Sequence, residues 1–126
     1  MKLILDSGAL IALERGDRGV WKRFKDFRHK ERAVVTHGGV IGQVWRGQGP
    51  RQALLATALR SVEVFPLDDV LGRAAGELLD RAKRKDVIDA ALVLLASEGD
   101  LIVTSDPDDI GALARVAGRV VDLIEV

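Results

Sequence analysis

The sequence contains no cysteine, and nowhere in its 126 residues is there a long uninterrupted apolar run. Without cysteine the chain can form neither disulfide bonds nor a thiolate zinc site, which fits a reducing cytosol. No apolar run approaches the ~20 residues that a membrane-spanning helix requires. Asp6 lies too close to the start for a secretory signal peptide. We therefore expect a cytoplasmic protein without a membrane segment.

A net charge is also absent, because 19 basic residues balance 19 acidic ones. The two signs are unevenly placed: residues 1–60 contain 12 Lys and Arg against 5 Asp and Glu, whereas residues 61–126 contain 7 against 14. This asymmetry is compatible with a basic face for phosphates beside an acidic site for cations. It is equally compatible with a soluble protein whose charges happen to be uneven.

What the sequence does contain is a regular alternation of short apolar segments and helical segments. The apolar fraction of 48% and the length suit one domain, residues 1–126, with a sizeable core. Strands separated by helices predict an α/β protein, a three-layer fold with a central parallel sheet of about five strands flanked by helices. The predicted strands are Leu3–Leu5, Ala33–Val35, Val62–Phe65, Leu101–Thr104 and Val120–Ile124.

Acidic residues follow two of these predicted strands directly. Asp6 comes after the first strand, and Asp106 comes two residues after the end of the fourth. In an open parallel sheet, ligands bind at the carboxyl ends of the strands, so both residues are candidates for a site. The alternative is structural, because Ser7, Ser105 and Asp106 are residue types that commonly cap helices.

A third acidic pair, Asp86 and Asp89, opens a predicted helix over residues 86–97 whose later residues are almost wholly apolar. Residues three apart share one helix face, and unpaired carboxylates on a buried helix are costly. Mg²⁺ prefers oxygen ligands, relieves the repulsion between carboxylates and can activate a water molecule. The alternative is that Asp86 caps the helix while Asp89 faces water in its first turn.

Four segments, in order, resemble the acidic motifs of the PIN-domain family. As a small single domain, the chain is similar to the VapC toxins of bacterial toxin–antitoxin pairs. The resemblance covers essentially the whole chain. The matching segments are Leu5–Ile11 at the opening, Thr36–Gly47 at the helix that carries the second acid, Asp86–Ala91 at the third motif and Val103–Ile110 at the fourth.

The resemblance implies an endoribonuclease that depends on Mg²⁺ or Mn²⁺. Asp6, Asp86 and Asp106 would be the metal ligands, with Asp89 and Asp109 as supporting acids. It also implies an RNA substrate, a cognate antitoxin protein and a homodimer. The remaining residues of the implied site are Gln43, as part of the catalytic set, and Ser7, Thr104 and Ser105, as supports of the motifs.

One residue departs from the family pattern, since Gln43 stands where the second motif normally has glutamate. An amide brings no negative charge and accepts no proton, and losing a general base costs roughly 10²–10⁴-fold in rate. A degenerate domain that binds RNA or protein without cutting is therefore the second hypothesis. A third class, a phosphatase or phospho-acceptor built on Asp6, is disfavoured because Gly8 stands where a phosphatase of that kind needs a second Asp.

Overall fold

A computed structural model describes residues 1–126 and forms a single five-stranded sheet. The strands lie in the order β3-β2-β1-β4-β5, and every neighbouring pair is parallel. The predicted α/β class with a parallel sheet of about five strands is confirmed. The strands are β1 (Leu3–Leu5), β2 (Val34–His37), β3 (Glu63–Phe65), β4 (Leu101–Thr104) and β5 (Asp122–Glu125).

Seven helices flank the sheet and connect its strands. Each parallel connection needs a crossover, and a helix supplies it. No helix combines the length and apolar character that spanning a bilayer requires. The helices are α1 (Ser7–Glu14), α2 (Arg18–His29), α3 (Gly38–Val44), α4 (Pro50–Leu59), α5 (Asp69–Ala82), α6 (Val87–Leu94) and α7 (Pro107–Val116).

Burial follows from the position of each strand in the sheet. Every residue of the central strands β1 and β4 is buried, whereas the edge strands β3 and β5 are partly exposed. Strands covered on both faces read as continuous apolar runs, which is why β1 and β4 were recognisable from sequence. Against this sheet packs α6, in which residues 90–93 are all buried. The core therefore surrounds the two strands that precede the acidic residues.

Several element boundaries differ from the predicted ones: β2 spans Val34–His37 rather than Ala33–Val35, β3 begins at Glu63 rather than at Val62, and two further differences lie near glycines. Helix α6 ends at Leu94 rather than at Ser97, and β5 begins at Asp122 rather than at Val120. In both regions a glycine takes a left-handed conformation, with φ +84° at Gly99 and +69° at Gly118. Glycine adopts such values without steric cost, so the chain turns there before the next strand.

Candidate metal centre

Asp6 and Asp106 lie beyond neighbouring strands at the reversal point of the sheet. From β1 the chain order runs outward through β2 to β3, and from β4 it runs the other way to β5. Leu5 at the end of β1 pairs with Val103 of β4, so the carboxyl ends of these strands are adjacent. A crevice outside the carboxyl ends of strands at such a point is the usual ligand site of parallel sheets.

Asp6 is buried and both oxygens of its carboxylate accept backbone hydrogen bonds. The residue as a whole is only 4% exposed. Oδ1 accepts from the N–H of Ala9 at 2.9 Å, and Oδ2 accepts from the N–H of Ser105 at 3.2 Å. Asp6 is thus the N-cap of α1, the position that the sequence suggested for Ser7, which lies inside the helix instead. Asp6 also holds the loop after β4 against the start of α1.

The segment after β4 orients Asp106 without using its carboxylate. Thr104 is fully buried, and its Oγ1 accepts the N–H of Asp106 at 2.8 Å. Asp106 occupies the N-cap position of α7, but its side chain makes no capping hydrogen bond. Pro107 follows at the first helical position, where its missing N–H costs nothing. The carboxylate of Asp106 therefore caps no helix and lies beside the carboxylate of Asp109.

The two acids at the start of α6 have different roles. Asp86 is exposed and caps the helix, since its Oδ1 accepts the N–H of Asp89 at 3.1 Å. Asp89 lies in the first turn and is partly buried. The capping alternative for Asp86 agrees with this geometry, whereas Asp89 turns towards other carboxylates instead of facing open water.

Asp89, Asp106 and Asp109 form what we call the acidic cluster. One carboxylate oxygen from each lies within 4.8 Å of the others. Mg²⁺ binds oxygen at about 2.1 Å, so ligands on opposite sides of one ion are about 4.2 Å apart. The three oxygens can therefore share an ion after a small adjustment. Two of these residues, Asp89 and Asp109, were predicted only as supporting acids, whereas Asp6 and Asp86 of the predicted ligand set lie outside the cluster.

The pKa of Asp89 is strongly raised. Its burial, followed by the charges of Asp86, Asp6, Asp106 and Asp109, raises the pKa of Asp89 from 3.8 to about 7. Asp6 and Asp86 are thus close enough to influence the cluster without belonging to it. A carboxyl that holds its proton near neutral pH is expected where like charges converge and no cation separates them.

Asp106 is perturbed in the same direction. Loss of hydration, together with the neighbouring carboxyl of Asp109, raises the pKa of Asp106. Asp109 has one basic partner, because the guanidinium of Arg84 forms an ion pair with its carboxylate. Arg84 comes from the turn between α5 and α6, and no sequence motif indicated this contact. A single cation leaves the cluster with excess negative charge.

Gln43 does not join the acidic cluster. It lies exposed on α3, and its side chain makes no hydrogen bond. Its backbone carbonyl oxygen accepts a hydrogen bond from the guanidinium of Arg46 at 3.2 Å. Gln43 instead lines a separate cavity beside α1 and α4. The predicted catalytic role of Gln43 stays a prediction.

His37 connects α3 to α6. It is fully buried and does cap α3, because its Nδ1 accepts the N–H of Gly39 at 3.1 Å. With Nδ1 as acceptor, Nε2 carries the hydrogen and donates to the carbonyl of Ile88 at 2.9 Å. Burial lowers the pKa of His37, which favours this neutral form. His37 thereby ties the end of β2 to the turn that carries Asp89.

Gly8 is needed for the close approach of α1 to the loop after β4. A Cβ added at Gly8 would lie 2.5 Å from the Cβ of Ser105, 3.0 Å from its backbone nitrogen and nearer still to its Oγ. Real Cβ atoms do not approach other atoms so closely, and overpacking of this kind costs about 1–3 kcal/mol. Any relief of the clash separates Asp6 from the N–H of Ser105.

We therefore expect Gly8→Ala to lower the free energy of unfolding by about 1–3 kcal/mol, measured by urea titration. Ser105→Gly in the same chain removes the nearest atoms and should recover much of the loss. Gly76→Ala is the matched control, because an added Cβ meets nothing within 4 Å there. That change should stabilise α5 by up to about 1 kcal/mol. Equal effects at both glycines would contradict the close contact.

The fold and the site define a class of protein: an α/β domain that gathers carboxylates at the carboxyl edge of a parallel sheet. The chain is similar to the crystal structure of VapBC2 from Rickettsia felis bound to a DNA fragment from their promoter, with a TM-score of 0.72 and 12% identity. The match covers 99% of this chain and 100% of that chain. No family model and no curated protein matches the sequence. At this identity the similarity shows the fold alone.

Proposed function

We propose that this protein is a metal-dependent endoribonuclease of the PIN-domain kind, acting as the toxin of a VapBC-type pair. The observation that carries the proposal is the convergence of Asp89, Asp106 and Asp109 within 4.8 Å at the carboxyl edge of the sheet. The fold shared with the VapBC2 structure and the order of the sequence motifs support it. The proposal treats residues 1–126 as one catalytic domain.

The chemistry of the donor set favours Mg²⁺ or Mn²⁺. All three groups are carboxylates, and hard divalent ions prefer oxygen ligands while keeping several waters. When bound, such an ion supplies an activated water and neutralises charge on the phosphate in transit. Asp89, Asp106 and Asp109 would hold the ion. Asp6 would add negative charge from its buried position while fixing the loop that carries Asp106.

Partners follow from the same comparison. The similar structure is a complex of toxin–antitoxin type with promoter DNA, which supports an antitoxin protein as partner for this chain. The resemblance to VapC toxins extends the proposal to a homodimer and to RNA as substrate. An antitoxin would silence the enzyme by placing basic groups against the acidic cluster, as the resemblance implies for a tail that enters an acidic groove.

A second candidate function is a domain that binds RNA or protein without cutting. The observation in its favour is Gln43, an exposed amide at the position where the family pattern has an acid. In that case the acidic cluster would still bind metal, but hydrolysis would lack a group that the family uses.

One experiment separates these candidates. Wild type and Gln43→Glu are incubated with a labelled single-stranded RNA in Mn²⁺ and, separately, in EDTA. We expect wild type to cleave in Mn²⁺ only, with the variant within about tenfold of it. Cleavage by the variant alone, faster by about 10²–10⁴-fold, would establish the second candidate. Cleavage that persists in EDTA would exclude the metal mechanism.

A further inference from the structure

A basic cavity lies apart from the acidic cluster, since no cluster residue lines it. It has a volume of about 520 Å³ and is formed by α1, α3, α4 and the segment between α3 and α4. Its charged lining consists of Glu14, Arg15, Arg46 and Arg51, an excess of two positive charges. In the sequence these arginines are scattered and look like an ordinary solvated face. Folding brings all three to one concave surface.

A buried glutamine builds the wall of this cavity. Gln52 is only 8% exposed, and its Oε1 accepts the N–H groups of Arg46 at 2.8 Å and Gly47 at 3.1 Å. Its Nε2 donates to the carboxylate of Glu14 and to the carbonyl of Val44 at 3.4 Å. Every hydrogen-bonding atom of Gln52 is thus used within the protein. The position of Arg46 is therefore set by the buried structure behind it.

The guanidinium of Arg46 is held in place but keeps its charge. It donates to the carbonyls of Gly42 at 3.2 Å, Gln43 at 3.2 Å and Trp45 at 2.7 Å. These acceptors are neutral, and no carboxylate pairs with Arg46. A guanidinium has five N–H donors, so two remain for a ligand.

The other two arginines are free of protein partners. The side chains of Arg15 and Arg51 make neither an ion pair nor a hydrogen bond, while four other basic side chains do form ion pairs. The planar guanidinium matches phosphate oxygens with two parallel hydrogen bonds. The cavity thus contains two arginines without protein partners, Arg15 and Arg51, and one held in position, Arg46. Such a set suits a polyanion whose phosphates are spaced along a chain.

A second cavity, of about 490 Å³, adjoins the basic cavity and extends to the loop after β4. Ile11 and Arg15 line both cavities. The second cavity also reaches Gly8, two residues after Asp6, and Ser105, the residue before Asp106. Its charged lining residues are Arg15 and Asp17. The two cavities together therefore form a path from Ser105, which is next to Asp106 in the chain, past Arg15 to Arg51.

We propose that this path binds the phosphodiester backbone of single-stranded RNA, with Arg15, Arg46 and Arg51 contacting phosphates beside the one at the acidic cluster. This rests on the proposed function, which places a phosphodiester at the cluster through a metal ion. A single RNA strand would then contact both the acidic cluster, through the metal ion, and the arginines. Negative phosphates away from the ion need cations of the protein, and the arginines supply them.

The test measures RNA binding in EDTA, where no metal-dependent cleavage occurs. A labelled single-stranded RNA is titrated by fluorescence anisotropy at several salt concentrations with wild type and Arg15→Gln/Arg51→Gln. Loss of two phosphate contacts should lower the slope of log K against log salt by about 1.4 and weaken binding about 10- to 100-fold at low salt. The control is Arg18→Gln/Arg60→Gln, at two exposed arginines outside both cavities.

An equal slope and affinity for wild type and the cavity variant would overturn the proposal. So would a loss confined to an acidic peptide such as polyglutamate, because the cavity would then serve a protein partner. Thermal unfolding of both variants should match wild type, since the four side chains are exposed. The same assays distinguish failure of the proposed nuclease function from failure of this proposal. RNA binding that depends on Arg15 and Arg51, without cleavage in Mn²⁺, would refute the nuclease function and support the RNA path.

Discussion

Replacing Asp89 by asparagine is expected to abolish metal-dependent cleavage of RNA, whereas the same change at Asp86 should leave most of it. Asp89 contributes an oxygen to the acidic cluster, and asparagine there removes a charge that a divalent ion needs. Mutating a residue that only supports a metal ligand typically lowers metal affinity or activity 10–100-fold. Losing a direct ligand should therefore lower the cleavage rate by more than about 10²-fold. Asp86 is exposed, and its Oδ1 is already engaged by the N–H of Asp89.

The Asp86→Asn variant is a close control for this prediction. Asparagine caps helices about as well as aspartate, so α6 and the fold should stay intact. Initial rates of RNA cleavage in Mn²⁺ and calorimetric Mn²⁺ titration measure the two effects independently. Should Asp86→Asn destroy metal binding while Asp89→Asn preserves it, the ion belongs at Asp86, as the sequence motif predicted, and the acidic cluster is not the centre.

The sequence could not distinguish these two residues for a physical reason. Asp86 and Asp89 are three apart, and either can point from the start of a helix towards a neighbouring strand end. Which one caps depends on where the helix begins, and helix boundaries are weakly encoded. The helix begins at Val87, so Asp86 becomes the cap and Asp89 turns inward.

A similar ambiguity affected the first motif. Asp6 and Ser7 are both good N-cap residues, and the local sequence suggested Ser7. Asp6 takes the role because its second oxygen accepts the N–H of Ser105, a contact between residues 99 apart in sequence. Long-range contacts of this kind are outside the reach of a local pattern.

The central strands, by contrast, were predictable to the residue. Leu3–Leu5 is apolar throughout, as is β4 apart from its last residue, Thr104, and burial on both faces requires such a composition. The basic cavity was not predictable, because Arg15, Arg46 and Arg51 come from three different elements. The sequence thus revealed where the strands end, whereas the set of side chains that meets there required the fold.

The burial of Asp89, together with repulsion from the neighbouring carboxylates, leads to the last prediction: in EDTA, Asp89→Asn should be more stable than wild type near neutral pH and above. The folded protein holds the Asp89 proton up to about pH 7, whereas the unfolded chain releases it near pH 3.8. Between these values the folded state binds more protons, so this group lowers stability as pH rises. The shift of about three units sets an upper bound of about 4 kcal/mol, and partial exposure reduces the expectation to about 1–3 kcal/mol.

The measurement is the difference in unfolding free energy between wild type and Asp89→Asn, from urea titrations at about pH 5 and about pH 8. Taking the difference cancels His37, whose lowered pKa acts in both proteins and opposes the trend at acidic pH. The variant should gain stability over wild type as pH rises. A variant that is less stable than wild type at about pH 8 would show that neither burial nor the neighbouring charges make ionised Asp89 destabilising.

Added Mn²⁺ should then reverse the order at high pH. A bound ion neutralises the cluster and stabilises wild type by about 2.7 kcal/mol at a concentration one hundred times the dissociation constant. Asp89→Asn has lost a ligand and should gain far less. Because the ion displaces the Asp89 proton, its apparent affinity for wild type should fall about tenfold for each pH unit below about 7. The same carboxylate that weakens the metal-free protein thus makes its stability depend on the ion.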